Sequence, residues 1–191
     1  MKKVLLTAAA IFAFGFANAQ SVKFGVKGGL NFANLTGDAE DNSMRVSFHV
    51  GGLAEIKLTN KFAIQPELLF SSQGAKFDTN TSEKLVYDLS YINIPVMAKF
   101  YATPQFYLEA GPQISFIVSA KAKYDGDSED IKDEFNSTDF GLGLGAGYNF
   151  TDNLYAGLRY NAGLSNIADV PDSSNFETGN SVIALSVGYK F

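Results

Sequence analysis

Ser181-Val182-Ile183-Ala184-Leu185-Ser186-Val187-Gly188-Tyr189-Lys190-Phe191 is the stretch that decides the fold. Side chains alternate along an extended chain, so Ile183, Leu185, Val187, Tyr189 and Phe191 share one face. Val182, Ala184, Ser186, Gly188 and Lys190 share the other. One large apolar face and one small or polar face suit a wall between lipid and a polar lumen, and the aromatic ending is that of an outer-membrane barrel strand.

Seven further runs read the same way. The first sets Val22, Phe24, Val26, Leu30 and Phe32 against Lys23, Lys27 and Asn31, and the second sets Val46, Phe48, Val50, Ile56 and Leu58 against Ser47, His49, Glu55 and Lys57. The third opposes Phe62, Ile64, Leu68 and Phe70 to Gln65 and Glu67. The fourth changes phase, because Leu85, Tyr87, Leu89 and Tyr91 share a face and Ile92, Ile94, Val96, Ala98 and Phe100 then take over, which predicts a β-bulge or a lipid-to-loop transition near Tyr91. The fifth runs from Phe106 to Val118, the sixth from Phe140 to Phe150 and the seventh from Leu154 to Ser165. Pro66, Pro95 and Pro112 lack the ladder donor and predict either local irregularities or displaced strand boundaries.

Connections alternate in length. Thr59 to Lys61, Tyr101 to Gln105 and Thr151 to Asn153 are short, whereas Asn34 to Met44, Ser72 to Lys84, Ala120 to Thr138 and Asn166 to Gly179 are long and polar. The expected fold is therefore all-β: an eight-stranded antiparallel transmembrane β-barrel with short periplasmic turns and long extracellular loops. The competing architecture is a soluble barrel of the lipocalin kind, with the apolar face turned inward. Aromatic strand ends and charges confined to the opposite face favour lipid outside, with outer-membrane lipid as the surrounding partner.

Met1-Lys2-Lys3, the apolar Val4 to Phe16 and the small Ala17-Asn18-Ala19 read as a secretory signal peptide over residues 1–19, cleaved after Ala19, with the barrel domain over 20–191. The apolar run falls short of the ~20 residues of a spanning helix. Of 15 basic residues, 13 lie beyond Lys2 and Lys3 against 20 acidic ones, a balance of −7 that argues against nucleic acid as a partner. The chain has no cysteine, and so no disulfide or thiolate metal site.

The inward faces carry mixed charges. Lys23, Lys27, His49, Glu55, Lys57, Gln65, Glu67, Glu109, Gln113, Arg159 and Lys190 form the expected lumen polar network, with Tyr155, Asp88 and Lys99 as further candidates. Buried charges persist when paired, so the network reads as a structural plug, with a narrow aqueous pore as the sharper alternative. Gly141, Gly143, Gly145 and Gly147 face inward, which predicts bulky fillers from other strands.

Catalytic, cofactor and metal residues are read as none. His49, the single histidine, stands near Ser47 and conceivably across the barrel from Asp88, a weak Ser-His-acid pattern. Asp125-Gly126-Asp127-Ser128-Glu129-Asp130, with Asp133 and Glu134, lacks the spacing of a calcium loop and reads as a solvated acidic loop.

Phe24-Gly25-Val26-Lys27-Gly28-Gly29-Leu30-Asn31-Phe32, Gln65-Pro66-Glu67-Leu68-Leu69-Phe70, Tyr91-Ile92-Asn93-Ile94-Pro95-Val96 and Gly111-Pro112, in this order, resemble the PorT-like outer-membrane barrels of Bacteroidetes. The resemblance implies a small exported barrel, with a link to protein secretion for the founding member and no residue set by which to carry that role over. Tyr189 and Phe191 resemble the C-terminal signal read by the barrel-insertion machinery. The expected role is non-enzymatic, structural or surface-interacting, with a small passive channel or a secretion accessory as alternatives. The extracellular partner stays unidentified at this level.

Overall fold

The computed structural model describes residues 22–37, 42–78, 84–124, 127–132, 136–165 and 178–191. The segment read as a signal peptide, with Ala19, lies outside the described residues, as do Asp125, Gly126, Asp133 and Glu134 of the acidic loop. The strands are β1 (Val22–Gly37), β2 (Asn42–Lys57), β3 (Phe62–Gln73), β4 (Ala75–Asp78), β5 (Lys84–Tyr101), β6 (Phe106–Tyr124), β7 (Asp127–Asp130), β8 (Thr138–Asn149), β9 (Leu154–Gly163) and β10 (Thr178–Lys190).

Eight of these close the wall. Antiparallel pairing runs β1-β2-β3-β5-β6-β8-β9-β10, and β10 returns to β1 with Gly25 opposite Lys190 and Gly37 opposite Thr178. Closure leaves no edge in the wall, which is the condition for β-structure in lipid. The other two strands extend the wall. β4 continues β3 beyond Gly74 and pairs with the same neighbours, β2 and β5. β7 folds back on the far end of β6, with Lys121 opposite Asp130. Gly74 sits at φ 118°, and a Cβ there would stand 2.1 Å from the Tyr87 carbonyl oxygen, so the step from β3 to β4 requires glycine.

Pairing thus continues into segments expected as loops, including 34–37, 42–44, 72–78 and 120–124. The reason is physical. Beyond the apolar belt neither face meets lipid, so alternation of hydrophobicity fades while backbone hydrogen bonding goes on.

The β5–β6 pair shifts register near Tyr91, where Ser90 faces Ser119 and Tyr91 faces Ile117, so the bulge adds its extra residue, Val118, to β6. β5 itself keeps its phase: Leu89 and Tyr91 share the inward face of Asn93, Met97 and Lys99 and pack onto Ala75, Ile117, Ala120 and Ile131, so the change of apolar face in the sequence marks the passage from the lipid belt to the loop end. The three prolines lie inside paired strands, so the boundaries were not displaced. Each interrupts one ladder without changing its register. Pairing between β2 and β3 skips from Leu53–Glu67 to Ile56–Ile64 around Pro66. Similar gaps follow Pro66–Val96 near Pro95 in the β3–β5 pair and Pro95–Gln113 near Pro112 in the β5–β6 pair. A missing N–H removes a bond and leaves the strand path intact.

The three tight turns share one device. Thr59 Oγ1 accepts from the backbone N–H of Phe62 at 3.0 Å, Thr103 Oγ1 from Phe106 at 2.9 Å and Thr151 Oγ1 from Leu154 at 2.9 Å. A threonine three residues before an apolar strand start therefore closes each turn, a local side-chain bond that competes well with water at an exposed end.

Large apolar side chains cover the outside, among them Phe24, Val50, Leu68, Leu144, Leu158 and Val187. This disposes of the lipocalin-like alternative, because the apolar face is outside and the charges are inside. So continuous an apolar surface belongs in a bilayer. Aromatic pairs border it at the short-turn end, with Phe62–Phe100 ring centroids 5.2 Å apart, Tyr148–Phe150 5.4 Å and Tyr189–Phe191 5.7 Å. Among the described residues no helix is long and apolar enough to cross a membrane.

The inward glycines make room for large neighbours. A Cβ on Gly147 would stand 2.2 Å from the Tyr107 ring, and one on Gly188 2.3 Å from the Tyr155 ring. Gly147→Val should accordingly destabilise the barrel by about 1–3 kcal/mol, the usual cost of overpacking, whereas outward Leu144→Val should cost under about 1.5 kcal/mol. Urea unfolding of both variants in detergent micelles checks the contrast; equal midpoints would contradict it.

Candidate functional site

Inward alternation along eight strands stacks the lumen in layers. Nearest the short turns, Tyr101, Tyr107 and Tyr155 pack with Leu53 and Ala63 as an aromatic floor. Two charged knots follow. In the first, Glu55 of β2 takes Lys99 of β5 at 3.3 Å and Lys190 of β10 at 3.2 Å. Lys99 Nζ also donates to Gln65 Oε1 at 2.6 Å and lies 4.0 Å from the Tyr107 ring centroid. Lys190 also donates to Asn149 Oδ1 of β8 at 3.2 Å.

The second knot centres on Glu67 of β3. Arg159 of β9 grips it in a fork, NH2 to Oε1 at 2.7 Å and NH1 to Oε2 at 3.0 Å, while its Nε donates to Glu109 Oε1 of β6 at 2.6 Å. Lys27 of β1 donates to Glu67 Oε2 at 3.1 Å. Gln65 Nε2 donates to Glu67 Oε1 at 2.6 Å and thereby ties the two knots together. With Asn149 counted, every one of the eight wall strands supplies a member.

Charge within this interior is met by charge. Glu55, Glu67 and Glu109 face Lys27, Lys99, Arg159 and Lys190, and the Glu55, Glu67 and Lys99 side chains have no exposed surface. Planar Arg159 suits the fork, because a guanidinium can satisfy two carboxylates at fixed angles where an ammonium would act as a point charge.

Above the knots runs a neutral chain. His49 Nδ1 lies 2.8 Å from Asn31 Oδ1 and Nε2 lies 2.9 Å from Ser186 Oγ. Asn31 Nδ2 donates to Ser71 Oγ at 2.9 Å, so its oxygen is left to accept, which assigns the His49 proton to Nδ1. The suggested Ser47-His49-Asp88 grouping is not formed. Ser47 Oγ donates to the Ser72 carbonyl at 2.6 Å, and Asp88 pairs with Arg45 at 2.9 Å and Lys123 at 2.8 Å at the long-loop end. The serine, histidine and asparagine that do align are buried, and the cavities bordering them, of about 20 and 10 Å³, are the size of single waters. Such a line can orient a proton and hold three strands together. It offers no space for a substrate.

The other expected members lie elsewhere. Lys57 is exposed at the rim, 5.4 Å from the Tyr101 ring centroid, and Lys23 reaches the Asp152 carbonyl at 3.1 Å, so both lie outside the knots. Lys23 begins β1 and Lys57 ends β2, so both sit at the short-turn mouth of the barrel and not in its interior. Gln113 is half-buried and donates to Ser115 Oγ at 3.0 Å in the amide layer. Tyr189 is on the lipid face, stacked edge-on against Phe191. In the acidic loop, Asp127 to Asp130 forms exposed β7.

Replacement of Lys99 by Met would leave Glu55 with half of its counter-charge in a dry interior. The expected cost is on the order of 3 kcal/mol, against under about 0.5 kcal/mol for Lys57→Met at the exposed rim. Urea midpoints in micelles measure both.

The profile of a family described as outer membrane protein beta-barrel domain matches residues 18–169. No curated protein matches the sequence. Among solved structures, Neisserial surface protein A is similar in fold at 15% identity and a TM-score of 0.60, over 90% of this chain and 99% of that one. Ail, the attachment invasion locus protein of Yersinia pestis, is similar at 15% identity and a TM-score of 0.53, over 88% of this chain and 98% of that one. Its complex with the heparin analogue sucrose octasulfate gives 15% identity and a TM-score of 0.54, over 90% and 99%. A closed eight-stranded wall, an apolar exterior and a matching profile over most of the chain lead to one conclusion: the protein belongs to the outer membrane protein beta-barrel domain family and resides in the bacterial outer membrane.

Proposed function

We propose that this protein is a non-enzymatic, plugged barrel that anchors its outer loops in the membrane for a structural or surface-interaction role. The observation that carries the reading is the Glu67 knot, in which strands from opposite parts of the wall meet at 2.6 to 3.1 Å through the middle of the lumen. An ion path would have to pass that knot, the Glu55 knot and the aromatic floor in turn. Lumen cavities of 10 to 20 Å³ support closure and disfavour the passive channel.

A surface role draws on the outer end. There β6 and β7 continue as a paired hairpin with exposed side chains, and Arg45–Asp88–Lys123 braces the neighbouring strands. The names of the two neighbours in fold, a surface protein and an attachment protein, are in keeping with such a role. Placing the chain among PorT-like barrels rests on the motifs around Phe24, Gln65 and Tyr91, and a part in secretion rests on that resemblance alone.

Planar-bilayer recording of the refolded protein tests the plug. The unaltered barrel should be electrically silent, and Arg159→Ala, which removes the fork and frees Glu67 and Glu109, should open conductance or destabilise the barrel. Reproducible steps from the unaltered barrel would transfer the reading to transport. Recognition by the insertion machinery is tested separately by deleting Phe191, which should lower the folded yield in the outer membrane; an unchanged yield would remove that partner.

A further inference from the structure

β6 changes face near its outer end. Up to Phe116 its even-numbered residues look outward, Leu108 and Phe116 among them. The extra residue, Val118, reverses the phase. Beyond it Ala120 is fully buried in the cluster with Leu89 and Ile117, while Lys121 and Lys123 are exposed on the outward side, across the pair from Asp88 and Val86. Were the bulge absent, alternation from Phe116 would aim both lysines at the Leu89–Tyr91 cluster and set Ala120 and Ala122 outside.

The outward side of β6 therefore passes from apolar to hydroxyl to cation. Phe116 and Val118 belong to the exterior that faces lipid, Ser119 stands opposite Ser90 of β5, and Lys121 and Lys123 follow. Asp88 is shared by two cations, Arg45 at 2.9 Å and Lys123 at 2.8 Å. Lys123 keeps half of its side chain exposed, and Lys121 has no ion-pair partner among the described residues. Asp130 of β7 lies opposite Lys121 in the ladder, and its Oδ1 accepts from the backbone N–H of Lys132 at 3.0 Å. Around Asp88, then, the cations Arg45, Lys121 and Lys123 meet the carboxylates of Asp88 and Asp130, and the excess is positive where the apolar wall ends.

Continuity with the lipid face decides what fits this rim. A group seated there touches apolar wall below and water above, so an amphiphile gains from both, whereas a free anion gains nothing from Phe116 and Val118. The positive excess selects a negative headgroup, and a phosphate offers an ammonium both charge and acceptor oxygens. We propose that Lys121 and Lys123, turned outward by the β6 bulge, bind the phosphate of an outer-leaflet glycolipid whose acyl chains lie along Phe116 and Val118.

The test is how much lipid A, a phosphorylated and acylated disaccharide, stays with the refolded protein through exchange into fresh micelles, read by native mass spectrometry. The unaltered barrel should retain lipid A and hold the same lipid stripped of phosphate several-fold less. Lys121→Gln with Lys123→Gln should lower lipid A retention several-fold, whereas Lys57→Gln with Lys61→Gln at the short-turn end should leave it unchanged. All four lysines are exposed, and matching urea midpoints check that the variants fold alike. Undiminished retention by the Lys121 and Lys123 variant would overturn the proposal, as would equal retention of the phosphate-free lipid. Release of lipid A by millimolar inorganic phosphate would reveal a free-anion site and overturn the lipid assignment. Equal binding of the deacylated phosphorylated sugar would overturn it too, by making the ligand a soluble glycan.

Discussion

The fork of Arg159 on Glu67 is the contact on which the rest of the interior depends. A closed barrel in lipid needs no more than its backbone ladder to satisfy its peptide groups. Its inside is a separate problem, because eight strands enclose only enough space for side chains. Here that space is filled by ionised groups. Each carboxylate in the two knots is held by cations from other strands, and Gln65 joins the knots, so loss of one member leaves others charged and dry. The wall is thus braced across its middle by interactions that lipid cannot compete for.

Small residues position this brace. Gly147 and Gly188 give their places to the Tyr107 and Tyr155 rings, and Gly143 and Gly145 face Arg159 and Glu109. Tyr107 in turn presents its ring to Lys99 at 4.0 Å, a cation over an aromatic face in a dry setting. Aromatic floor, charged knots and neutral amide layers follow one another toward the long-loop end, where Tyr91 and Leu89 close the top as an apolar cluster.

Much of this was legible from period-two alternation. It separates Leu185 from Ser186 and Glu67 from Leu68, and so assigns both faces of the wall. The irregularity near Tyr91 was legible too, although its extra residue belongs to β6 and β5 keeps one inward face from Leu89 to Tyr101. Two things were not. Pairing beyond the belt carries no hydrophobic signal, which hid β4 and β7. Alternation also says which face a side chain takes but not which partner it meets across the barrel. Alternation therefore offers only a weak grouping of His49 with Ser47 and Asp88, whereas the register brings it to Asn31 and Ser186. Lys99 was obscured because apolar residues change from one face of its strand to the other, yet it is central to one knot. The turn threonines Thr59, Thr103 and Thr151 were a readable signal, each three residues ahead of an apolar strand start.

The central claim is that Glu67 and Arg159 act as one unit across the lumen, and a double-mutant cycle measures that directly. Unfolding free energies of the unaltered protein, Glu67→Gln, Arg159→Met and the double variant, determined under one set of micelle conditions, give the coupling. The account predicts a favourable coupling of about 2 kcal/mol or more, with the double variant more stable than the sum of the single losses implies. Additive losses, with coupling within about 0.5 kcal/mol of zero, would contradict it and leave the barrel held by its ladder and aromatic floor alone.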